Sequence, residues 1–216
     1  MKDRKFLTVR HGHTDLNAGS ETSVDKERGW SDVPLNEEGI AEAEVTAKKL
    51  KGKGIQALVC SDLKRAKQTA DIISKATGVP VTASPLFRPW DLGNLTGKST
   101  KESAPKLKYF VNHPKETVPQ GESFDAFRKR MFSGLREALD QSRGKLLCIV
   151  THRRCERLIA SWIKNGQKPD LSVDLKEFMA EGEDPADFEE VTIDESKIGA
   201  GGERALVGAL SKAMNA

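Results

Sequence analysis

Short apolar runs alternate along this chain with longer segments of helical periodicity. That alternation restricts the fold more than any other feature, because strands interleaved with helices build βαβ units around a parallel sheet. Lys5–Arg10 (KFLTVR), Gln56–Cys60 (QALVC) and the short Val79–Thr82 read as strands, and Lys145–Val150 (KLLCIV) is the clearest of them. Helices are expected over about residues 39–51, 62–77, 100–112, 123–142 and 153–164. In the fourth, Phe124, Phe127, Met131, Leu135 and Leu139 recur every three or four residues, behind Ser123 as a capping residue. Beyond Asn165 the pattern weakens to a helix over 173–180 and a strand at Phe188–Ile193. The expected architecture is an α/β three-layer sandwich, a mostly parallel central sheet with helices on both faces. One domain covers residues 1–198, and 199–216 read as a Gly-rich linker with a short tail or helix.

The charges exclude several classes of function. Lys and Arg number 35 against 32 Asp and Glu, interspersed in sign, for a net charge of +3. A nucleic-acid partner, which needs clustered basic residues, is not expected. No run approaches the roughly 18 apolar residues of a membrane span, and residues 1–10 lack a secretory pattern, so the cytoplasm is the expected compartment. Cys60, Cys148 and Cys155 are an odd number without a close pair, which argues against disulfides and a zinc site. Neither a metal nor a cofactor is expected, since no GxxxxGK[ST], HExxH or CxxC motif is present.

The strand ends carry the chemistry. In open α/β sheets ligands sit at the carboxyl ends of the strands. The first strand ends in Arg10-His11-Gly12, the second leads through Ser61 to Arg65, and the KLLCIV strand ends in Thr151-His152. If these strands are parallel neighbours, two Arg and two His meet in one pocket. Guanidinium groups match phosphoryl oxygens, and an imidazole can attack phosphorus to give a phosphohistidine. A small phosphorylated molecule is the expected partner.

These residues sit in six segments: VRHGHTDLN (9–17), DVPLNEEGIAEA (32–43), CSDLKRAKQTA (60–70), LFRPWDLGNLTG (86–97), PQGES (119–123) and VTHRRCERL (150–158). In order and spacing they resemble the histidine phosphatase superfamily, which includes the cofactor-dependent phosphoglycerate mutases, over about residues 5–160. The resemblance implies a phosphoglycerate mutase-like fold with His11 as nucleophile and Arg10, Arg65 and His152 around the phosphoryl group. Asn17 matches a polar residue that contacts this group in many members, and equally suits a loop-closing turn. Ser61 reads as a helix cap, His13 as a rim or surface residue, and His113 as exposed. Trp90 packs under its loop or stacks on substrate.

Two positions depart from the family pattern. The family usually carries a Glu, its general acid, where this chain has Pro89. Asp91 is the nearest carboxyl group and the expected replacement, with Glu122 of PQGES as the alternative. The family usually has Gly after the second His, where this chain has Arg153-Arg154. Arg153 is assigned to substrate binding, against a solvated first-turn Arg. The resulting expectation is a metal-independent phosphomonoester phosphatase. A phosphoglycerate mutase and a phosphate-binding module without turnover are the alternatives, the latter because the usual Glu is gone.

Overall fold

The computed structural model describes residues 3–17, 25–179 and 187–198. The linker and tail expected at 199–216 lie outside the described residues. Strands β1 (Asp3–Arg10), β2 (Ala57–Ser61), β3 (Val81–Ser84), β4 (Leu147–Thr151) and β5 (Phe188–Asp194) form one sheet in the order β3-β2-β4-β1-β5. All neighbours pair parallel except β5, which runs antiparallel along the edge beside β1. The helices are α1 (Glu37–Leu50), α2 (Lys64–Thr77), α3 (Thr100–Asn112), α4 (Phe124–Gln141), α5 (Arg153–Lys164) and a single turn, α6 (Leu175–Phe178). Among the described residues no helix is long and apolar enough to cross a membrane.

The period-2 alternation of the strands divides the core in two. Phe6, Leu147 and Ile149 belong to one apolar cluster, with Phe124, Phe127, Met131 and Leu135 of α4 and Leu158 and Trp162 of α5. Leu7, Val9, Leu58, Cys60, Cys148 and Val150 belong to the other, with Ala47 and Leu50 of α1 and Ala66, Ala70 and Ile73 of α2. The central strands are buried on both faces, which explains why Leu147–Val150 is apolar throughout.

The main departures from expectation lie at element ends and near the C-terminus. Asn36 begins α1, its side chain accepting the Gly39 N–H at 2.9 Å, so the helix starts before the expected position. Ser123 caps α4 by accepting the Ala126 N–H. Ser61 caps no helix: α2 starts after Leu63, and the Ser61 hydroxyl accepts the Leu63 N–H within the preceding turn. The helix expected over 173–180 shrinks to the single turn of α6.

Candidate active site

The register of β1 against β4 builds the centre of the site. Arg10 pairs with Thr151 in parallel, so His11 and His152 leave adjacent strands side by side. The His11 N–H donates to the Thr151 carbonyl at 3.1 Å, and the two imidazoles meet edge to face with centroids 5.0 Å apart. β2 lies on the other side of β4 and delivers Arg65 from the first turn of α2.

His11 is held with one nitrogen ready. Its Nδ1 lies 2.8 Å from the Gly12 carbonyl, which can only accept, so Nδ1 carries the proton and Nε2 the lone pair. The Arg65 Nε–H donates to that Nε2 at 3.2 Å, while its Nη1 and Nη2 donate to the Ser31 and Gly29 carbonyls at 2.6 and 3.0 Å. The loop that presents His11 lies against α1 at a crossing of two glycines. A Cβ on Gly12 would sit 2.3 Å from the Gly39 carbonyl oxygen, and one on Gly39 2.2 Å from that of His13. Glu42 fixes the far side of the loop, accepting the His13 backbone N–H at 2.9 Å and contacting its Nδ1 at 2.6 Å.

His152 is 3% exposed, and among the described residues neither ring nitrogen has a hydrogen-bond partner. Burial, then the charges of Arg65, Arg28 and Arg10, push the His11 imidazole well below its usual range, and the Gly12 carbonyl opposes this. His152 is pushed the same way by burial, Arg65, His11, Arg28 and Arg130. Arg65 is itself lowered to about 9 and Arg10 to about 10, each mainly by burial. Both imidazoles are therefore neutral at pH 7. Burial also raises the thiols of Cys60, Cys148 and Cys155 to about 12, so none is a nucleophile near neutral pH.

His11, Arg65, His152 and Arg153 line one cavity of about 570 Å³. Arg10 is not among the lining residues; it is 4% exposed and acts on His11 by its charge. Asn17 does not line the cavity either: its Oδ1 accepts from the Thr14 N–H and hydroxyl at 3.0 and 2.9 Å, closing a turn.

Asp91 and Glu122, the carboxyl groups expected to protonate the leaving group, do not line this cavity. Asp91 Oδ1 accepts the Gly93 N–H at 3.1 Å, a local turn. Glu122 pairs with Arg130 at 2.6 and 3.2 Å and accepts the Asp91 N–H. Arg130 in turn donates to the carbonyls of Pro85, Leu86, Arg88 and Pro89, so this ion pair fixes the loop that carries Pro89. Trp90 packs at 5.3 Å from Phe124 and gives its indole N–H to the Glu122 carbonyl, and it also lines the cavity beside Pro89 and Leu92, so it supports its loop and borders the cavity at once.

Sequence reasoning missed Arg28, Glu27 and Asp25. All three line the cavity, and no strand end signals them. Arg28 is partly buried, donates to the Leu16 carbonyl at 3.2 Å and lies 3.5 Å from Asp25. Glu27 is clasped by Arg154, whose Nη2 reaches both carboxylate oxygens at 2.9 Å. Arg154 thus enters the cavity wall as one half of an ion pair. Among the described residues one group could hold a metal ion: donor atoms of His13, Glu38 and Glu42 lie within 4.8 Å of one another. It is not part of the cavity lining, and the His13–Glu42 contact already joins two of its members.

His11 with its Nε2 lone pair, the cavity and the arginines around it make an arrangement able to hold a phosphorylated molecule. The family model of the histidine phosphatase superfamily (branch 1) matches residues 6–177, and the chain belongs to that superfamily. Among its relatives is a Yersinia pestis (strain Pestoides F) protein named probable phosphoglycerate mutase GpmB, 33% identical over 149 residues, 67% of either chain. Among solved structures the chain is similar to mycobacterial glucosyl-3-phosphoglycerate phosphatase, with a TM-score of 0.70 and 21% identity over 88% of this chain and 91% of that one. It is also similar to the alpha-ribazole phosphatase of Shigella flexneri, with a TM-score of 0.60 and 22% identity over 73% of this chain and 78% of that one. At these identities the two structures establish the shared fold.

Proposed function

We propose that this protein is a metal-independent phosphatase of small phosphomonoesters that works through a phosphohistidine on His11. One observation carries the reading: His152 is buried with both nitrogens unpartnered beside the ready Nε2 of His11. A buried polar group left unsatisfied calls for an occupant. A phosphoryl group seated there accepts a hydrogen bond from His152 and draws the Arg65 Nε–H away from His11 Nε2, which frees that lone pair for attack.

The reaction follows from these positions. His11 Nε2 attacks phosphorus as the P–O ester bond breaks, and the leaving oxygen takes a proton. Water then attacks the phosphohistidine, releases inorganic phosphate and restores the lone pair. Bringing a phosphate dianion into the cavity reverses the field felt by His152 and favours its protonated form, which donates to an equatorial oxygen. Arg65 and Arg10 stabilise charge on the same group. Among the described residues the two carboxylates that line the cavity are both ion-paired, Glu27 with Arg154 and Asp25 with Arg28. Water therefore supplies the leaving-group proton, and good leaving groups do not need it.

Hydrolysis of an aryl phosphate tests the proposal. Turnover that persists in a chelator, is inhibited by vanadate and falls by several orders of magnitude in His11→Ala supports it. Substantial turnover in His11→Ala overturns it. The name of the 33%-identical relative favours a second reading, a phosphoglycerate mutase, in which the phosphohistidine returns its phosphoryl group to another hydroxyl. Interconversion of phosphoglycerates without release of inorganic phosphate selects that reading.

A further inference from the structure

Arg65 keeps its guanidinium on His11 only while two backbone carbonyls stay in place. Its Nη1 and Nη2 donate to Ser31 and Gly29 at 2.6 and 3.0 Å, and its Nε donates to His11 Nε2 at 3.2 Å. Trp30 is the residue between those two carbonyls. We propose that Trp30 is a positioning residue for the reaction: by anchoring the turn that carries both carbonyls, it sets the orientation of the Arg65 fork toward the transferring phosphoryl group. The inference rests on the phosphatase reading of the site, in which Arg65 acts on that group.

Residues 28–31 form a turn, closed by the Ser31 N–H on the Arg28 carbonyl at 2.8 Å. On one side the turn leads to Asp32, which accepts the Lys64 N–H at the start of α2 at 2.7 Å. On the other side the Trp30 indole N–H donates to the Pro89 carbonyl at 2.8 Å. The guanidinium carbons of Arg88 and Arg130 lie over the same indole, 4.7 and 5.5 Å from its centroid. Arg88 is held in turn by both carboxylate oxygens of Asp62, at 2.8 and 2.6 Å, and Arg130 by Glu122. Asp62 stands between β2 and α2, just ahead of Arg65. The contacts therefore close a ring. It runs from α2 through the Arg65 fork to the turn, through Trp30 to the loop of Pro89, and through Arg88 and Asp62 back to α2.

The chemistry calls for such a hold. The Arg65 Nε–H has to pass from His11 Nε2 to the phosphoryl group while Nη1 and Nη2 keep their carbonyls. Donors oriented in advance need no reorganisation in the transition state. Ground-state binding of an anion draws more on the charge of Arg65 than on its direction. Arg65 lines the cavity and Trp30 does not, so Trp30 acts on the phosphoryl group at one remove.

Trp30→Phe deletes the indole N–H and keeps a ring for Arg88 and Arg130. The Pro89 carbonyl keeps its bond from Arg130 Nη2 at 3.0 Å, so no buried acceptor is stranded. The variant should fold, with Tm lowered by less than about 5 °C. Its kcat for an aryl phosphate should fall about tenfold while KM changes by less than about twofold, because the charge of Arg65 remains and its direction is lost. In an Arg65→Lys background, where no fork is left to orient, the same change should cost less than about twofold. Vanadate, a mimic of the transition state, should bind Trp30→Phe about tenfold more weakly by calorimetry, and orthophosphate less than about twofold more weakly. An equal loss in both backgrounds assigns Trp30 to packing and overturns the proposal, as does a change in KM alone or no change at all. If Arg65→Lys by itself leaves kcat intact, the role of Arg65 falls and that of Trp30 with it. A wild type that binds vanadate but releases no phosphate would overturn the phosphatase reading instead, and the vanadate and orthophosphate affinities then decide the role of Trp30 by themselves.

Discussion

The two buried imidazoles make folding stability depend on pH in a direction fixed by their surroundings. Arg65 on α2, Arg28 in the loop before α1, Arg10 on β1 and Arg130 on α4 all disfavour the protonated form of one or both. In the unfolded chain each imidazole titrates near its reference value of 6.5. Below that pH the unfolded state binds more protons than the folded one, so stability falls as pH falls. Above it both states carry neutral imidazoles and the effect vanishes. Between pH 7.5 and 5.5 a histidine that stays neutral when folded costs about 1.4 kcal/mol, or about 3–5 °C in Tm for a domain of this size. Thermal melts of the wild type and His152→Gln across this range isolate the contribution, since the other titrating groups are common to both. The wild type should lose about 3–5 °C more than the variant on acidification. Orthophosphate should close part of that gap, because it pairs with the protonated imidazole. Parallel pH profiles for the two proteins would refute the argument that His152 is held neutral.

Further outcomes follow from the same contacts. Asp91→Asn should change kcat for alkyl phosphates by less than about threefold and cost under about 1 kcal/mol, because asparagine can still accept the Gly93 N–H; a loss confined to alkyl phosphates would restore Asp91 as the acid. Glu122→Gln leaves the buried Arg130 charge uncompensated and should cost about 3–5 kcal/mol by denaturant titration, with aryl and alkyl phosphates affected alike. Arg65→Lys keeps a charge but loses the fork that reaches His11, Gly29 and Ser31 together. Its kcat/KM for an aryl phosphate should fall about a hundredfold or more.

Most of the fold is written in the strands. Leu147–Val150 is apolar on both faces because it lies mid-sheet between β1 and β2, and that burial made it easy to read. The edge strand β5, with exposed Glu189, Glu190 and Thr192, carries a weaker signal because it packs less of its surface. His11, His152 and Arg65 were legible because each stands at or just after a strand end, where open sheets gather ligands. Arg28 and Glu27 come from the segment between β1 and α1, which joins the cavity only through tertiary contacts such as the Glu27–Arg154 pair, 127 residues apart in sequence. The position of the expected acid outside the cavity has a different cause. Proximity along the chain pointed to Asp91, but the Arg130–Glu122 pair fixes the loop with Pro89 on the cavity and the Asp91 carboxylate folded back on Gly93.

The central claim is that His11 carries the phosphoryl group. Rapid acid-free denaturation of the enzyme during turnover of a labelled phosphomonoester, followed by peptide mapping, tests it directly. The account predicts one base-stable, acid-labile phosphate per chain, on the imidazole of His11, with none in His11→Ala. Steady turnover with no covalent label, or a label on any other residue, would contradict it.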